Sequence, residues 1–561
     1  MKKLYLGLIL TLIASAHAFA QTTYLPLGTD EYHLLDRLEA LSGKLNSDFS
    51  STLKPVSRKE AMSFLHQLSK AYTFGQSSLS DIDNYNISRA LSISGEWITT
   101  ADGDDGAIDS KKPVLKYFYQ KQPDLLHIHT DNFFLVVNPV IYFHAAYERS
   151  QKDIKYINLR GLEVRGRISN RIGFYTMLGD NQEKQLSYIQ AWESRNQASP
   201  GNDYFALRSG VDDIFLARGY FDFNAINDHL NVTFGYDKNF IGDGMRSLFL
   251  SDEGAAATFL RLRSRLGKLH YQNLFMELIN DYTRGYDRIL PKKYASLHQI
   301  NMDITPWLNL GIFESTVFAK ADHFNVGYLI PVIFYRTLAQ ATGSSDKTAI
   351  GINFKAIALK TLQLYGQGYF NGVDLSTIGK GDWRNQYGIQ LGLQYFNAFT
   401  LSNLDIRAEA NIVRPFTYAA QDSVSNYTHY NQALAHPMES SFAEWIGVAR
   451  YQPVKKLCIT AKGIVTSRGT DSAATLNFGN DIHKSFESRT EAATYGLISG
   501  TRLNSIYMNL NVAYEIRPNI FLEAGATHLR GKYETGANMA SSTSLYGALR
   551  WNIARKEYDY F

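Results

Sequence analysis

The chain has 561 residues, 45% of them apolar and 13% aromatic, with 36 Tyr and 32 Phe against only 13 Pro. Its net charge of +4 includes Lys2 and Lys3, and no basic stripe marks a nucleic-acid partner. The single cysteine, Cys458, excludes an intrachain disulfide framework and a cysteine-based zinc site. Average hydrophobicity combined with abundant Tyr, Phe, Gly and Asn suits a barrel with one apolar and one wet face.

Residues 1–20 read as an export signal. Lys2 and Lys3 give a charged start, Leu4 to Ala16 an apolar run, and Ala18-Phe19-Ala20 a cleavage site. No later apolar run approaches the roughly 18 residues of a membrane helix. A membrane location therefore requires a closed barrel, because backbone groups in lipid must be satisfied internally.

Residues 21–112 form a helical region and linker. Tyr32, Leu35, Leu38 and Leu41 recur at helical spacing with Gly43 as a stop. Ser57-x-x-Glu60 opens a second helix carrying Ala61, Phe64, Leu65 and Leu68. A third helix is expected from Asp81 to about Ser94, and the acidic, Gly-bearing stretch Thr100–Lys112 reads as a linker.

Residues 113–561 follow a period of two. Strands are expected at 133–147, 158–168, 171–178, 211–223, 229–238, 258–266, 269–279, 295–303, 308–319, 348–358, 362–371, 385–397, 403–413, 441–452, 457–468, 504–515, 520–531 and 543–553. Eighteen strands, an even number, are joined by connections that alternate strictly between short and long, as in outer-membrane barrels with tight periplasmic turns and long extracellular loops. In the last strand Leu545, Gly547, Leu549, Trp551 and Ile553 suit lipid, while Tyr546, Ala548, Arg550 and Asn552 suit a polar lumen. In 158–168, Leu162, Val164 and Ile168 oppose Glu163, Arg165 and Arg167, which must point inward, since a charge on the lipid face costs about 2–4 kcal/mol at the midplane. Phe561 would end the chain on an aromatic, but Tyr558, Tyr560 and Phe561 do not alternate cleanly.

Three stretches invite a functional reading. His127-x-His129-x-Asp131 would place three metal-ligand types on one strand face, and equally fits polar side chains facing water at the start of a strand. Residues 414–440 carry Arg414, Tyr418, Tyr427, His429, Tyr430, Asn431, Gln432 and His436. The tyrosines can stack on sugar rings, and the amides and imidazoles can bond hydroxyls or one another. No nucleophile–base spacing accompanies them, so no catalytic residue is expected, and no motif calls for a cofactor. Residues 231–262 form a strand, a break at Gly242-Asp243-Gly244, and a second strand. The loop is expected to turn into the pore, with Arg246, Asp252 and Glu253 paired there.

Several of these stretches together resemble the capsule-assembly Wzi family of outer-membrane proteins. The resemblance rests on Tyr24-Leu25-Pro26-Leu27-Gly28, Leu35 to Leu41, Pro55-x-Ser57-Arg58-x-Glu60, Gly242-Asp243-Gly244 with Ser247 to Ser251, Lys293-Tyr294-Ala295 with His298, Leu310 to Glu314, and Leu329-x-Pro331-Val332-Ile333-Phe334-Tyr335-Arg336. Arg414-Pro415-Phe416-Thr417-Tyr418 and Tyr430-Asn431-Gln432-x-Leu434-Ala435-His436-Pro437 resemble its Bacteroidota, RemB-like branch, which is associated with gliding motility. The resemblance implies an eighteen-strand barrel in the outer membrane and a non-enzymatic role in holding capsular polysaccharide. The partners would be outer-membrane lipid and surface glycan. A motility or secretion role, with loops binding machinery proteins, is the second expectation. A diffusion porin is the third, and loops long enough to fill the lumen count against it.

Overall fold

The computed structural model describes residues 23–73, 79–98, 106–169, 171–226, 229–280, 282, 289–319, 326–331, 334–342, 346–491 and 494–560. The expected export signal and Phe561 lie outside the described residues, as do Val332 and Ile333 of the quoted motif. Among the described residues, eighteen antiparallel strands close into a barrel. In chain order they are β1 Phe133–Glu148, β2 Asp153–Ile168, β3 Ile172–Lys184, β4 Val211–Ile226, β5 Leu230–Asp237, β6 Ala257–Leu266, β7 Leu269–Ile279, β8 Lys292–Thr305 and β9 Leu308–Phe318. The circuit continues with β10 Lys347–Ala358, β11 Leu362–Gly372, β12 Gln386–Tyr395, β13 Leu404–Val413, β14 Phe442–Val454, β15 Leu457–Thr470, β16 Thr501–Arg517, β17 Ile520–Tyr533 and β18 Asn538–Trp551. Each strand pairs with its neighbours in sequence, and β18 closes on β1 from Trp551 opposite Ile141 to Ser544 opposite Glu148.

The alternation of side chains explains why this sequence makes a wall. In β16, Met508, Leu510, Val512 and Tyr514 face outward, and Ser505, Tyr507, Asn509, Asn511 and Glu515 face the lumen. In β2, Glu163 and Arg165 are buried on the inner face while Leu162 and Ile168 lie exposed on the outer one. Among the described residues, no helix is long and apolar enough to cross a membrane.

Two expectations need correction. Connections do not alternate strictly, because the hairpins at 149–152 and 534–537 are tight although they sit at the end of the long loops. There the β1–β2 ladder runs on to Glu148 opposite Asp153 and the β17–β18 ladder to Lys532 opposite Asn538, which uses up the residues a loop would need. The last strand also stops at Trp551. Asn552 takes a positive φ of 54° and turns the chain inward, so Ile553 packs against a luminal apolar cluster instead of facing lipid.

The helices precede the barrel: α1 Asp30–Ser42, α2 Arg58–Thr73 and α3 Asp81–Ile93. Gly43 closes α1 in the left-handed region at φ 73°, and Ser80 with Asp83 caps α3 reciprocally. Leu35, Leu38, Ala61, Leu65, Ile87 and Ala90 form their shared core. The bundle does not merely lie beneath the wall. Leu53 and Lys54 form a short antiparallel strand with Ile241 and Phe240 inside the barrel.

Candidate functional site

The lumen is filled from three directions. From the short-turn end, the helical bundle is pinned to the wall by buried ion pairs. Lys355 on β10 reaches Glu39 (2.7 Å) and Asp36 (3.2 Å) of α1. Arg37 of α1 bridges Asp83 of α3 (2.7 Å) and Asp405 on β13 (2.6 Å). Arg450 on β14 holds Asp30 at 2.9 Å.

From the long-loop end come residues 238–256 and 414–441. The first turns at Gly242, whose φ of 153° and close approach to Gln367 leave no room for a side chain. Gly242 N donates to Thr52 O (2.8 Å), so the bundle and the loop are joined directly. A Cβ on Gly244 would meet Arg246 O and Glu409 Oε2 at 2.7 Å each. The Glu409 carboxylate instead accepts the Met245 and Arg246 amides (2.7 and 3.1 Å).

The second long loop folds over the first. Tyr418 Oη donates to Leu248 O (3.0 Å) and Tyr427 Oη to Phe249 O (2.7 Å), with the two rings stacked 5.9 Å apart. His429 Nδ1 accepts the Ile279 amide at 2.9 Å, which leaves Nε2–H to donate to Ala256 O at 2.8 Å. This neutral tautomer agrees with the push of burial, which lowers the imidazole to about 4. Gln432 bonds Gly201 N and Asn202 O, Asn431 bonds Asn196 O and Tyr282 O, and Tyr430 packs edge-on against Tyr282. His436 is fully buried against Glu444 (2.9 Å), and Arg414 donates to Asp382 O and Tyr495 O. From the wall, Lys347 donates to Thr417 O and Ala419 O, and Lys293 to Asn426 and Thr428. Thus six of the eight loop residues singled out in the sequence are buried, and only Tyr430 and Asn431 are half-buried.

The third element is the chain after β18. Asp559 is held by Arg246 (2.8 Å) and Lys462 (2.7 Å). Tyr558 Oη and Lys556 both reach Glu183, and Tyr188 Oη donates to Tyr558 O. Arg246 also meets Glu253 at 3.0 Å and spreads over the Tyr560 ring. Burial raises the Glu253 carboxyl above its ordinary value despite this cation. Asp252 supplies its main-chain carbonyl, not its carboxylate, to the Lys238 ammonium (2.8 Å). The tail itself carried no periodic signal. Between bundle, loops and tail remains a cavity of about 610 Å³, lined among others by Tyr24, His33, Lys238, Arg450, Lys462 and Tyr558.

The motif at 127–131 gathers no metal site. His127 bonds Asp124 (2.7 Å) and packs on Phe134, His129 lies 6.5 Å from it between ring centres, and Asp131 sits in the following turn. No group of three or more His, Cys, Asp or Glu side chains among the described residues could hold a metal ion.

Above the plug, the loops 373–385 and 471–500 carry a set that periodicity does not reveal. Trp383 is half-buried between Phe416 and Phe486, with Arg489 at 4.3 Å over its ring. Arg384 beside it is exposed and paired to Asp382 (2.6 Å). The usable signal was a tryptophan, one of only six, inside a long loop.

The fold defines an outer-membrane-type β-barrel whose lumen is filled by its own chain. No family model and no curated protein matches the sequence. Among solved structures the chain is similar to Wzi of Escherichia coli, an outer-membrane protein involved in group 1 capsule assembly and described as a carbohydrate-binding β-barrel. The TM-score is 0.55 at 10% identity, covering 95% of this chain and 100% of that one. At that identity the likeness is one of fold. Weaker similarities are to OprD of Pseudomonas aeruginosa (TM-score 0.41, 11% identity, 74% of this chain and 94% of that one) and OccAB2 of Acinetobacter baumannii (0.42, 10%, 74% and 97%).

Proposed function

We propose that this protein is a non-enzymatic outer-membrane barrel that takes part in assembling or attaching a surface polysaccharide. The observation that carries the reading is the doubly sealed lumen. A helical bundle from below and interlocked loops from above occupy much of the lumen, which favours the outer loop layer as the working surface. The fold shared with the carbohydrate-binding E. coli barrel supports the same direction. On that layer Trp383 offers a partly open ring for a sugar face, and Arg384 and Arg489 offer charge-assisted hydrogen bonds to hydroxyls or carboxylates. Tyr430 and Asn431 add contacts, while Arg414, Tyr418, Tyr427, His429, Gln432 and His436 hold the loop that presents them.

Deleting the gene and staining for capsule while scoring surface spreading tests the reading. Loss of retained surface glycan is expected. Intact glycan with lost spreading would replace it with the motility role implied by the RemB-like resemblance. A large steady conductance of the purified protein in planar bilayers would replace it with a porin.

A further inference from the structure

Residues 106–125 are anchored at both ends, by the Gly106 and Ile108 amides on Gly95 O and Ser92 Oγ of the bundle and by Asp124, buried against Asn138 of the wall, but the turn between these anchors is absorbed by neither. Their tip carries Val114, Leu115, Tyr117 and Phe118 in a tight turn closed by Val114 and Phe118, and Leu115 and Tyr117 are 75% and 73% exposed. Lys111, Lys112 and Lys116 flank these residues and are exposed as well. An apolar, aromatic and lysine-rich tip is costly to leave in water.

Its position identifies what covers it. Tyr119, at the base of the tip, stacks on Trp551 with ring centres 6.3 Å apart and planes 21° from parallel. Trp551 is the last residue of β18. It pairs with Ile141 and shares its face with Leu545 and Leu549, opposite Tyr147 and Phe143 of β1. Leu545, Tyr147 and Phe143 are exposed on the outside of the wall. Tyr119 therefore touches the lipid-facing surface, at the end of the barrel where the short turns lie. The exposed rim residues Trp307, Leu359, Phe399 and Tyr514 stand at that same end. The tip continues this girdle sideways.

We propose that residues 113–119 form an amphipathic foot that inserts into the periplasmic leaflet of the outer membrane. Its occupant is phospholipid: Leu115, Tyr117 and Phe118 enter the interface, and the lysines meet anionic headgroups. Aromatic rings with one wet edge favour that depth, and lysine stems reach back to the headgroups. The foot would tether the linker between bundle and barrel to the bilayer, so that the bundle's entrance into the lumen is fixed from outside as well as inside.

The test uses the full chain in vesicles of phosphatidylethanolamine and phosphatidylglycerol. Cys458→Ser removes the native thiol, and Leu115→Cys carries an environment-sensitive fluorophore, with Lys70→Cys on the exposed face of α2 as a water-facing control. The expected result is a blue-shifted emission at position 115 that loses most of its intensity to lipids brominated near the headgroup and little to aqueous iodide. Iodide quenching equal to that at position 70 would overturn the proposal. So would shielding seen only in whole outer membranes and absent from pure lipid vesicles, which would assign the surface to a protein. A Leu115→Asp/Tyr117→Asp variant, which alters no buried contact, separates insertion from folding: its barrel should retain heat-resistant electrophoretic migration while vesicle-dependent protection of residues 106–125 from protease is lost.

Discussion

The two seals of this barrel are built from different forces. The lower one is a folded module docked by charge: Lys355 with Asp36 and Glu39, Arg37 with Asp83 and Asp405, Arg450 with Asp30. The upper one is irregular chain held by side chains that bond main-chain oxygens: Tyr418 to Leu248, Tyr427 to Phe249, His429 to Ala256, Lys347 to Thr417 and Ala419. A helix satisfies its own backbone and needs only a few strong points of attachment. A loop folded into a lumen cannot leave its carbonyls bare, so its neighbours must supply donors one by one.

That contrast sets the order of mutational effects. Lys355→Met removes the buried cation that Asp36 and Glu39 share, leaving Asp36 only the more distant Arg407 (3.5 Å) and taking the ammonium from Glu39. We expect a loss of about 3–5 kcal/mol, read as denaturant-induced release of the bundle by protease nicking between α1 and α3. Unchanged nicking would mean the bundle is held mainly by its apolar contacts. Asp559→Asn keeps the shape of the tail but takes the charge from Arg246 and Lys462. About 1.5–3 kcal/mol should be lost, seen as faster hydrogen exchange in residues 238–256 with the wall unaffected. Tyr418→Phe deletes one hydroxyl donor to Leu248 and should cost about 1 kcal/mol in the same exchange measurement, with no effect on the bundle. If Tyr418→Phe instead loosens both ends, the seals are one cooperative unit.

A further effect is one of pH. In the loop helix Ser187–Asn196, burial and the neighbouring Asp212 carboxyl raise Glu193 well above the usual carboxylate range. A carboxyl raised by folding stabilises fully below its unfolded value and loses that contribution as pH climbs through the folded one. Protection of residues 187–196 should therefore decline as pH rises above the ordinary carboxylate value of 4.5. Glu193→Gln should flatten the slope, and an unaltered slope would assign it to another group.

The same contrast explains what could be read from sequence. Eighteen strands and three helices follow periods of two and 3.6, and Gly43, Ser57 and Gly242-Asp243-Gly244 mark stops and turns by their own chemistry. Arg246 and Glu253 were recognisable as lumen partners, because a loop that turns into a pore must pair its charges. Asp559 was not, since nothing local says that a chain leaving β18 will double back. Nor could the identities of Tyr418 and Tyr427 reveal whether their hydroxyls meet sugars or the carbonyls of Leu248 and Phe249. Either partner satisfies the same donor, and only the tertiary fold decides. Strict loop alternation failed for a similar reason: residues of 148–157 and 532–542 can extend a ladder or form a loop at nearly equal local cost.

The stagger at the seam has a consequence of its own. Strand β18 covers β1 only from Ile141 upward, which leaves the short-turn end of β1 without β18 as a neighbour on that side. The short strand Leu126–Thr130 folds back onto Phe133–Val137 and takes up those donors and acceptors. It thus caps a β-edge left open where the last strand meets the first, an edge to which a strand from another molecule could otherwise add. Removing segment 121–131 should therefore expose that edge and raise the tendency of the barrel to pair through its seam, read as a larger species in detergent.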